Sequence, residues 1–508
     1  MSKPMTNLRF TLVICPALAA LLLTGCMVGP KYHTPPAVAQ APPVTYKESP
    51  TQFPDTDGWK VAQPQDAMLH GKWWEIYNDS ELNALEERLN IDNQNIKQFF
   101  ANFMEARALV AEAHAQLYPT ASVGPSYSRS KSSANLGRSS QANTGSTSSV
   151  GSLPLSVSWE PDLWGRVRST IHEQQYNAQL SAADLENEKL TEQASLATFF
   201  FEIRGQDALQ AILNDTVEAD KKALEFTQAQ YETGIGDRIS VVEAQNTLQN
   251  VQSQAINLGV ARAQFEHAIA LLVGANASTF SIPVRAASVT PPPIPIGLPS
   301  ALLERRPDIA ASERNMAAAN AQIGIATAAY YPNLTLSASG GFESSTFKHL
   351  FDWPSRVWSI GPTVSETVFD AGLRRATVNQ FREVYNADVA SYRQTVLTGF
   401  QQVEDALASV RILSQQQIQQ QEAVKSAEEF LTLETARYQT GIDPYVNVVT
   451  AQTTLLTDRQ SVANLRVQEM TASVQLIEAL GGGWDRSQLP TPAQVSEKLT
   501  KAETTIQR

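Results

Sequence analysis

Two apolar spacings alternate along this chain, and each appears twice. Leu190, Ala194, Ala197, Phe201, Ala208, Ala211 and Leu213 draw a heptad-like stripe of small and apolar residues, inside a stretch that holds no proline from Arg166 to Pro283. That spacing predicts a long helix able to pack closely against neighbouring rods. Elsewhere the period drops to two. Ala121, Val123 and Tyr127 alternate with small or polar residues, and Leu155, Val157 and Trp159 alternate with Ser156, Ser158 and Glu160. Leu334, Leu336 and Ala338, then Trp358, Ile360 and Val364, repeat the pattern in the second half. These are four candidate strands, with loops expected from Ser128 to Ser152 and from Glu343 to Pro354.

Caps and stops bound the helices. Trp73-Trp74 introduces Asp79, which is placed to cap a helix through Leu82, Leu85 and Leu89 to Leu117, where Tyr118-Pro119 ends it; Tyr331-Pro332 ends its counterpart. After the second and fourth strands, Asp162-Leu-Trp-Gly165-Arg166 and Asp370-Ala-Gly372-Leu-Arg374 open the two longest proline-free stretches. From Arg166 to Glu232 is 67 residues. At about 1.5 Å per residue this is a rod of roughly 100 Å, longer than any globular core needs. Each rod ends in the same turn: Tyr231-Glu-Thr-Gly234-Ile recurs as Tyr438-Gln-Thr-Gly441-Ile at an offset of 207 (438 minus 231), and Val241, Ala244, Gln245 and Leu248 recur as Val448, Ala451, Gln452 and Leu455. Return helices follow, with Asp237 as one N-cap, and Asp443 as the other with Pro444 as first helical residue. They stop at Leu272-Val-Gly274 and Leu480-Gly481. The chain is a duplicated unit, each copy a tall helical hairpin with its tip at Gly234 or Gly441. That shape suits a duct rather than an enzyme.

Four alternating strands cannot seal a hole in lipid. The smallest spanning barrels need about eight, and an open sheet edge is not tolerated in the bilayer, so several chains must pool their strands. Trp159, Trp164, Trp353 and Trp358 sit near strand ends, where aromatic girdles belong. A soluble sandwich with one greasy face is the alternative, although no further strands are present to build its second sheet.

The amino terminus fixes the compartment. Lys3 and Arg9, an apolar run from Phe10 to Leu23, then Leu23-Thr24-Gly25-Cys26 form a secretory signal too short for a permanent anchor. Cys15 falls within it, so the mature chain keeps one cysteine and no disulfide is possible. The net charge of -12 becomes -14 once Lys3 and Arg9 are removed, with no basic cluster to track phosphates, which excludes nucleic acid as an expected partner. The expected segmentation is 1–25 signal, 26–72 lipidated extended tether, 73–280 first repeat, 281–299 proline-rich linker, 300–483 second repeat and 484–508 tail.

On these residues the chain resembles the TolC-like outer-membrane factors, in the lipoprotein branch that serves efflux pumps. The resemblance rests on Gly25-Cys26-Met-Val-Gly29-Pro30-Lys-Tyr32, Trp73-Trp74, Leu303-Glu-Arg-Arg306-Pro307-Asp308-Ile309, Ala321-Gln322-Ile323-Gly324, Tyr331-Pro332 and the two Tyr-x-Thr-Gly turns. Leu-Thr-Gly-Cys resembles the lipobox, which implies acylation of Cys26; Met27, not aspartate, follows it, which points to the outer membrane. The resemblance implies a trimeric α+β channel with a shared 12-stranded barrel, four strands per chain, above a periplasmic helical barrel. It further implies a homotrimer in outer-membrane lipid, a periplasmic adaptor (membrane fusion) protein, an inner-membrane proton-driven transporter and no cofactor. The expected function is an exit duct for small toxic compounds or drugs, the alternatives being a duct for secreted protein or polysaccharide and a non-conducting envelope lipoprotein.

A gate is expected at the tips. The family places an apolar ring and aspartate rings at the start of the last return helix, where this chain has Val446, Asn447 and Thr450. Fewer carboxylates shift the expectation toward Asp237, Glu243 and Asp443, although Asp237 and Asp443 are also good plain helix caps. Arg306-Pro307-Asp308 reads as a helix start rather than a catalytic motif. His33, His70, His114, His172, His267 and His349 show no metal-ligand spacing, so no metal is expected. Arg166, Arg168, Arg374 and Arg375 are candidates for lumen or headgroup contact.

Overall fold

A computed structural model describes residues 26–37, 46–48, 71–133, 147–286, 291–292, 294 and 302–497. The expected signal segment 1–25, most of the expected tether, part of the expected linker and the end of the expected tail lie outside the described residues. After a short 3₁₀ turn, Trp73–Tyr77, come helices α1 (Ser80–Asp92) and α2 (Gln94–Ala115). Strands β1 (Thr120–Val123), β2 (Ser126–Lys131) and β3 (Thr147–Trp159) lead into α3 (Arg166–Glu232) and α4 (Arg238–Leu272). The second copy has the single turn α5 (Leu302–Arg305), α6 (Pro307–Ala328), β4 (Asn333–Ser344), β5 (Arg356–Ser365), α7 (Leu373–Gln439) and α8 (Tyr445–Ala479), followed by the short α9 (Pro492–Ser496). The paired rods match in length: α3 and α7 have 67 residues each, α4 and α8 have 35 each.

Three expectations change. The helix expected from Leu82 to Leu117 is two helices, because Asn93 leaves helical geometry and its side chain caps α2 by accepting from Ile96 N at 3.0 Å. The loop expected over Ser128 to Ser152 is shorter, since β2 runs to Lys131 and β3 starts at Thr147, paired residue for residue. Likewise β4 runs to Ser344, beyond the expected loop start at Glu343. β1 and β2 are one ribbon interrupted at Gly124-Pro125, for both pair with β3 in a single continuous antiparallel register. Proline offers no N–H to that ladder.

The sheet order is β1/β2–β3–β4–β5, so each chain supplies four ribbons with β2 and β5 at open edges. Register sorts the side chains. Val123 faces Leu155, Val157 faces Ala338, and Ala338 faces Ile360, which puts the apolar residues on one surface. Ser156 faces Ser339, and Ser339 bonds Ser359 across strands at 3.2 Å, which lines the other surface with hydroxyls. One greasy and one hydroxyl-lined face is what a lipid-embedded wall around water requires. Among the described residues no helix is long and apolar enough to cross a membrane.

Beneath the sheet the two copies meet in one core. Trp73, Leu82, Leu89, Phe200, Ile203 and Ile269 from the first half pack with Val403, Leu407, Val474 and Ile477 from the second. A buried ion network locks this level: Asp207 accepts from Arg204 at 3.1 Å, Arg262 at 2.8 Å and the Arg285 backbone at 2.9 Å, while Arg204 also pairs with Glu81. The tail packs as well, with Trp484 against Ala183, Ala310 and Ala311, and Val495 against Val110 and Ala178.

The tether is a strap wherever it is described. Val28 N donates to the Trp164 carbonyl at 3.3 Å, and Gly29 approaches Gly324 so closely that a Cβ there would lie 2.6 Å from its Cα. Tyr32 and Thr34 donate to Glu313 at 2.6 and 3.2 Å, buried Tyr46 follows, and Lys47 N and Glu48 N donate to the two Glu404 oxygens at 2.8 and 3.0 Å. Glu48 then pairs with Arg411 at 2.6 Å. The strap starts where the strands enter α3 and descends along α7.

Candidate functional site: the hairpin tips

The tips are built from the same backbone turn. Gly234 and Gly441 take φ of 76° and 73°, the left-handed region that favours glycine, and let the chain fold back after each rod. Ile235 N donates to Gln230 O and Ile442 N to Arg437 O, both at 3.0 Å, and in the first turn Gly236 N adds a second bond to Gln230 O at 2.8 Å.

Their locks differ. Asp237 caps α4, its carboxylate accepting from Ser240 N at 2.7 Å, and that bond holds its pKa below the usual carboxylate value. Asp443 does not cap α8. Pro444 occupies the N-cap position without a side-chain bond, and Asp443 forms a two-pronged ion pair with Arg437, six residues earlier across the turn. That bond lowers the Asp443 pKa and raises that of Arg437. The expectation of Asp443 as N-cap is therefore corrected. The guanidinium fork is a stronger partner for the carboxylate than the backbone amides at the helix start.

Between the tips lies an apolar seam. Tyr445 and Val448 of α8 pack on Ala244 of α4 with Leu224, Leu431, Tyr438 and Val449 around them. Tyr438 Oη donates to Gln230 at 2.8 Å, a bond from one hairpin to the other. Asp220 enters the same seam from α3, 3% exposed, with one carboxylate oxygen unpartnered. Burial pushes its pKa up to about 6, and it in turn helps raise that of Tyr445, after burial itself. Glu243 on α4 and the Tyr438 phenol on α7 are the other titratable neighbours that act on Tyr445.

The remaining gate candidates divide by face. Tyr445 and Val448 are buried, while Val446 and Thr450 stand on the exposed side of α8, Asn447 and Glu243 being half-buried. Thr450 donates back to Val446 O at 2.9 Å, so Val446 and Thr450 form one edge. Sequence reasoning missed Arg437, Tyr438 and Asp220. A signal existed: at the repeat offset Gln230 aligns with Arg437, Gly236 with Asp443 and Asp220 with Ala427, so the copies differ at the positions that lock one tip and load the seam.

Other expected positions are placed as follows. Cys26 is exposed at the strand end of the strap. Arg166 pairs with Glu160, Arg168 with Asp162 and Arg374 with Asp370 and Glu366, so these three are tied to the strand–helix junctions rather than free in a lumen; Arg375 is exposed. Pro307 and Asp308 start α6, with Asp308 paired to Arg306 at 2.6 Å. Trp159 and Trp164 bond the carbonyls of Leu117 and Pro332 at one end of the sheet, and Trp353 and Trp358 are exposed at the other.

A subunit with four lipid-facing ribbons set on two long helical hairpins is a part of an outer-membrane channel. The outer membrane efflux protein family matches residues 86–275 and 298–482, and the chain belongs to that family. The toluene efflux pump outer membrane protein TtgC of Pseudomonas putida is 30% identical over 472 residues, covering 92% of this chain and 95% of that protein. OprJ, an outer membrane protein of Pseudomonas aeruginosa, is 30% identical over 477 residues, with 92% and 95% covered. Among solved structures the outer-membrane channel OprN superposes with a TM-score of 0.80 at 25% identity, over 90% of this chain and all of that one. The fold is that of the trimeric channels, α+β and internally duplicated, and the protein is an outer-membrane efflux component rather than an enzyme.

Proposed function

We propose that three copies of this chain close a 12-stranded barrel and a helical tunnel that passively conducts small toxic compounds or drugs out of the periplasm. The observation that carries this reading is the register of the sheet. Its greasy face and hydroxyl face become the outside and inside of a wall only if the β2 and β5 edges find partners on neighbouring chains. A periplasmic adaptor and an inner-membrane proton-driven transporter supply cargo and energy. Cys26 carries the lipid, and the strap through Tyr32, Tyr46 and Glu48 holds that anchor beside the barrel. The units 26–72, 73–280, 281–299 and 300–483 serve as strap, first repeat, connection and second repeat.

The gate lies at the tips, with Val446, Asn447 and Thr450 toward the axis, Gly234 and Gly441 turning the chain, and Asp237, Glu243 and Asp443 supplying charge. In this reading Asp443 acts through Arg437 and Asp237 through its helix. The test is a deletion strain with its pump intact, assayed for accumulation of a hydrophobic dye. Raised accumulation that returns to normal on complementation is expected; unchanged handling of dyes, detergents and antibiotics alike would overturn the proposal.

A further inference from the structure

We infer that the outer rim of the barrel holds phosphate-bearing headgroups of outer-leaflet lipid, one site at each seam between subunits. The inference rests on the three-chain closure proposed above. In β2, Tyr127, Arg129 and Lys131 face Gly151, Ser149 and Thr147 and so share the lipid-facing surface of Val123 and Leu155. In β5, Arg356 faces Phe342 on that same surface, next to Trp358 and Ile360 in the alternation. Among the described residues the α-helices α2, α3, α6 and α7 join the sheet at its other end, so these cations stand at the outer end.

Closure brings them together. β2 and β5 are the two open edges and run in opposite directions, so the inferred closure sets the strand that carries Arg129 and Lys131 beside the next chain's strand that carries Arg356, all three at the outer end. The Arg129 and Lys131 side chains are exposed and have no hydrogen-bond or ion-pair partner among the described residues; the Lys348 side chain in the β4–β5 loop is alike. Arg356 lies over the Trp353 ring and donates to the Trp353 carbonyl at 3.1 Å, which leaves its charge uncompensated. The acids at this end are engaged elsewhere. Glu343 faces Ser152 on the hydroxyl side of the sheet, Asp352 bonds His349 at 2.6 Å, and residues 132–146 contain no Asp or Glu.

Like charges gathered at one seam, at the edge of a low-dielectric slab, repel unless an anion lies between them. A phosphate suits them, because guanidinium groups hold its oxygens in paired bonds. The chain as a whole carries -12, so the patch is not a sample of general basicity. Phe347, Phe351 and Trp353, 74%, 67% and 75% exposed, surround it as rings at headgroup depth do. Lipid rather than free phosphate is the occupant, because the cations share a face with the bilayer-contacting apolar band.

Native mass spectrometry of the purified full-length trimer tests this, with diphosphorylated lipid A and its phosphate-free counterpart as probes. The trimer is expected to retain up to three phosphorylated lipids. Retention should fall at least about tenfold with the phosphate-free lipid, and equally with R129E/K131E or R356Q. Excess inorganic phosphate should leave the lipid bound. Equal retention of both lipids, full retention by the variants, or displacement by inorganic phosphate would overturn the inference. The same spectra give the particle mass: a monomer removes the seam and the closure reading with it, whereas a trimer blind to lipid phosphate removes only this site.

Discussion

The two hairpin tips share backbone, length and glycine, yet one is held by a cap and the other by a clamp. Asp237 satisfies the first turn of α4 within its own hairpin. Asp443 gives up that local role and binds Arg437 across the turn, leaving the α8 start to Pro444. A cap belongs to one helix and goes wherever that helix goes. A clamp spans two segments and can be exchanged for a partner's charge, which in the proposed gate would make the second tip the one that changes. The asymmetry also loads the seam, because Asp220 stands where the second copy has alanine.

The largest effect should follow reversal of one clamp member. Asp443→Arg places two cations at the turn, repeated around the trimer axis, and should raise single-channel conductance several-fold, where Asp237→Arg changes it little. Next comes the seam. Asp220 has its pKa raised from 3.8 to about 6, so the packed seam is fully stable below the lower value and loses stability as pH rises through about 6. That loss is roughly 3 kcal/mol. Opening frequency in bilayers should therefore climb between about pH 4 and pH 6, and Asp220→Asn should flatten the profile at its low-pH level. A profile unchanged by that substitution would detach the carboxyl from the gate.

Smaller effects sharpen the contrast. Tyr438→Phe removes the 2.8 Å bond to Gln230 and should weaken the contact between hairpins by about 1 kcal/mol, seen as faster hydrogen exchange near residues 438–448. Smallest of all, Asp237→Ala should lower the melting temperature of the trimer by about 2 °C and leave conductance alone. If it opened the channel as widely as Asp443→Arg, the distinction between cap and clamp would be lost.

Much of this was legible in the sequence for physical reasons. A rod of 67 residues needs no proline and a repeating apolar stripe, and both are visible; a membrane strand needs strict alternation, and Leu155, Val157 and Trp159 display it. The misses share a cause as well. Asp443 before Pro444 carries the local signature of a cap, and only a partner six residues back overrides it. Asn93 ends a helix inside a helical pattern because its side chain satisfies the next helix start. The strap shows no periodicity at all, since its order comes from Glu313, 281 residues from Tyr32, and from Glu404, 357 residues from Lys47. Internal comparison of the copies at Gln230/Arg437 and Gly236/Asp443 would have exposed the clamp.

Single-channel recording of the charge swap tests most directly the proposal that an exchangeable ion pair at the second tip closes the channel. Purified wild-type trimer should conduct weakly, Asp443→Arg strongly, and Arg437→Asp combined with Asp443→Arg should return to the weak level. A swap that stays as open as the single variant, or a wild-type trimer that never conducts under any condition, would contradict it.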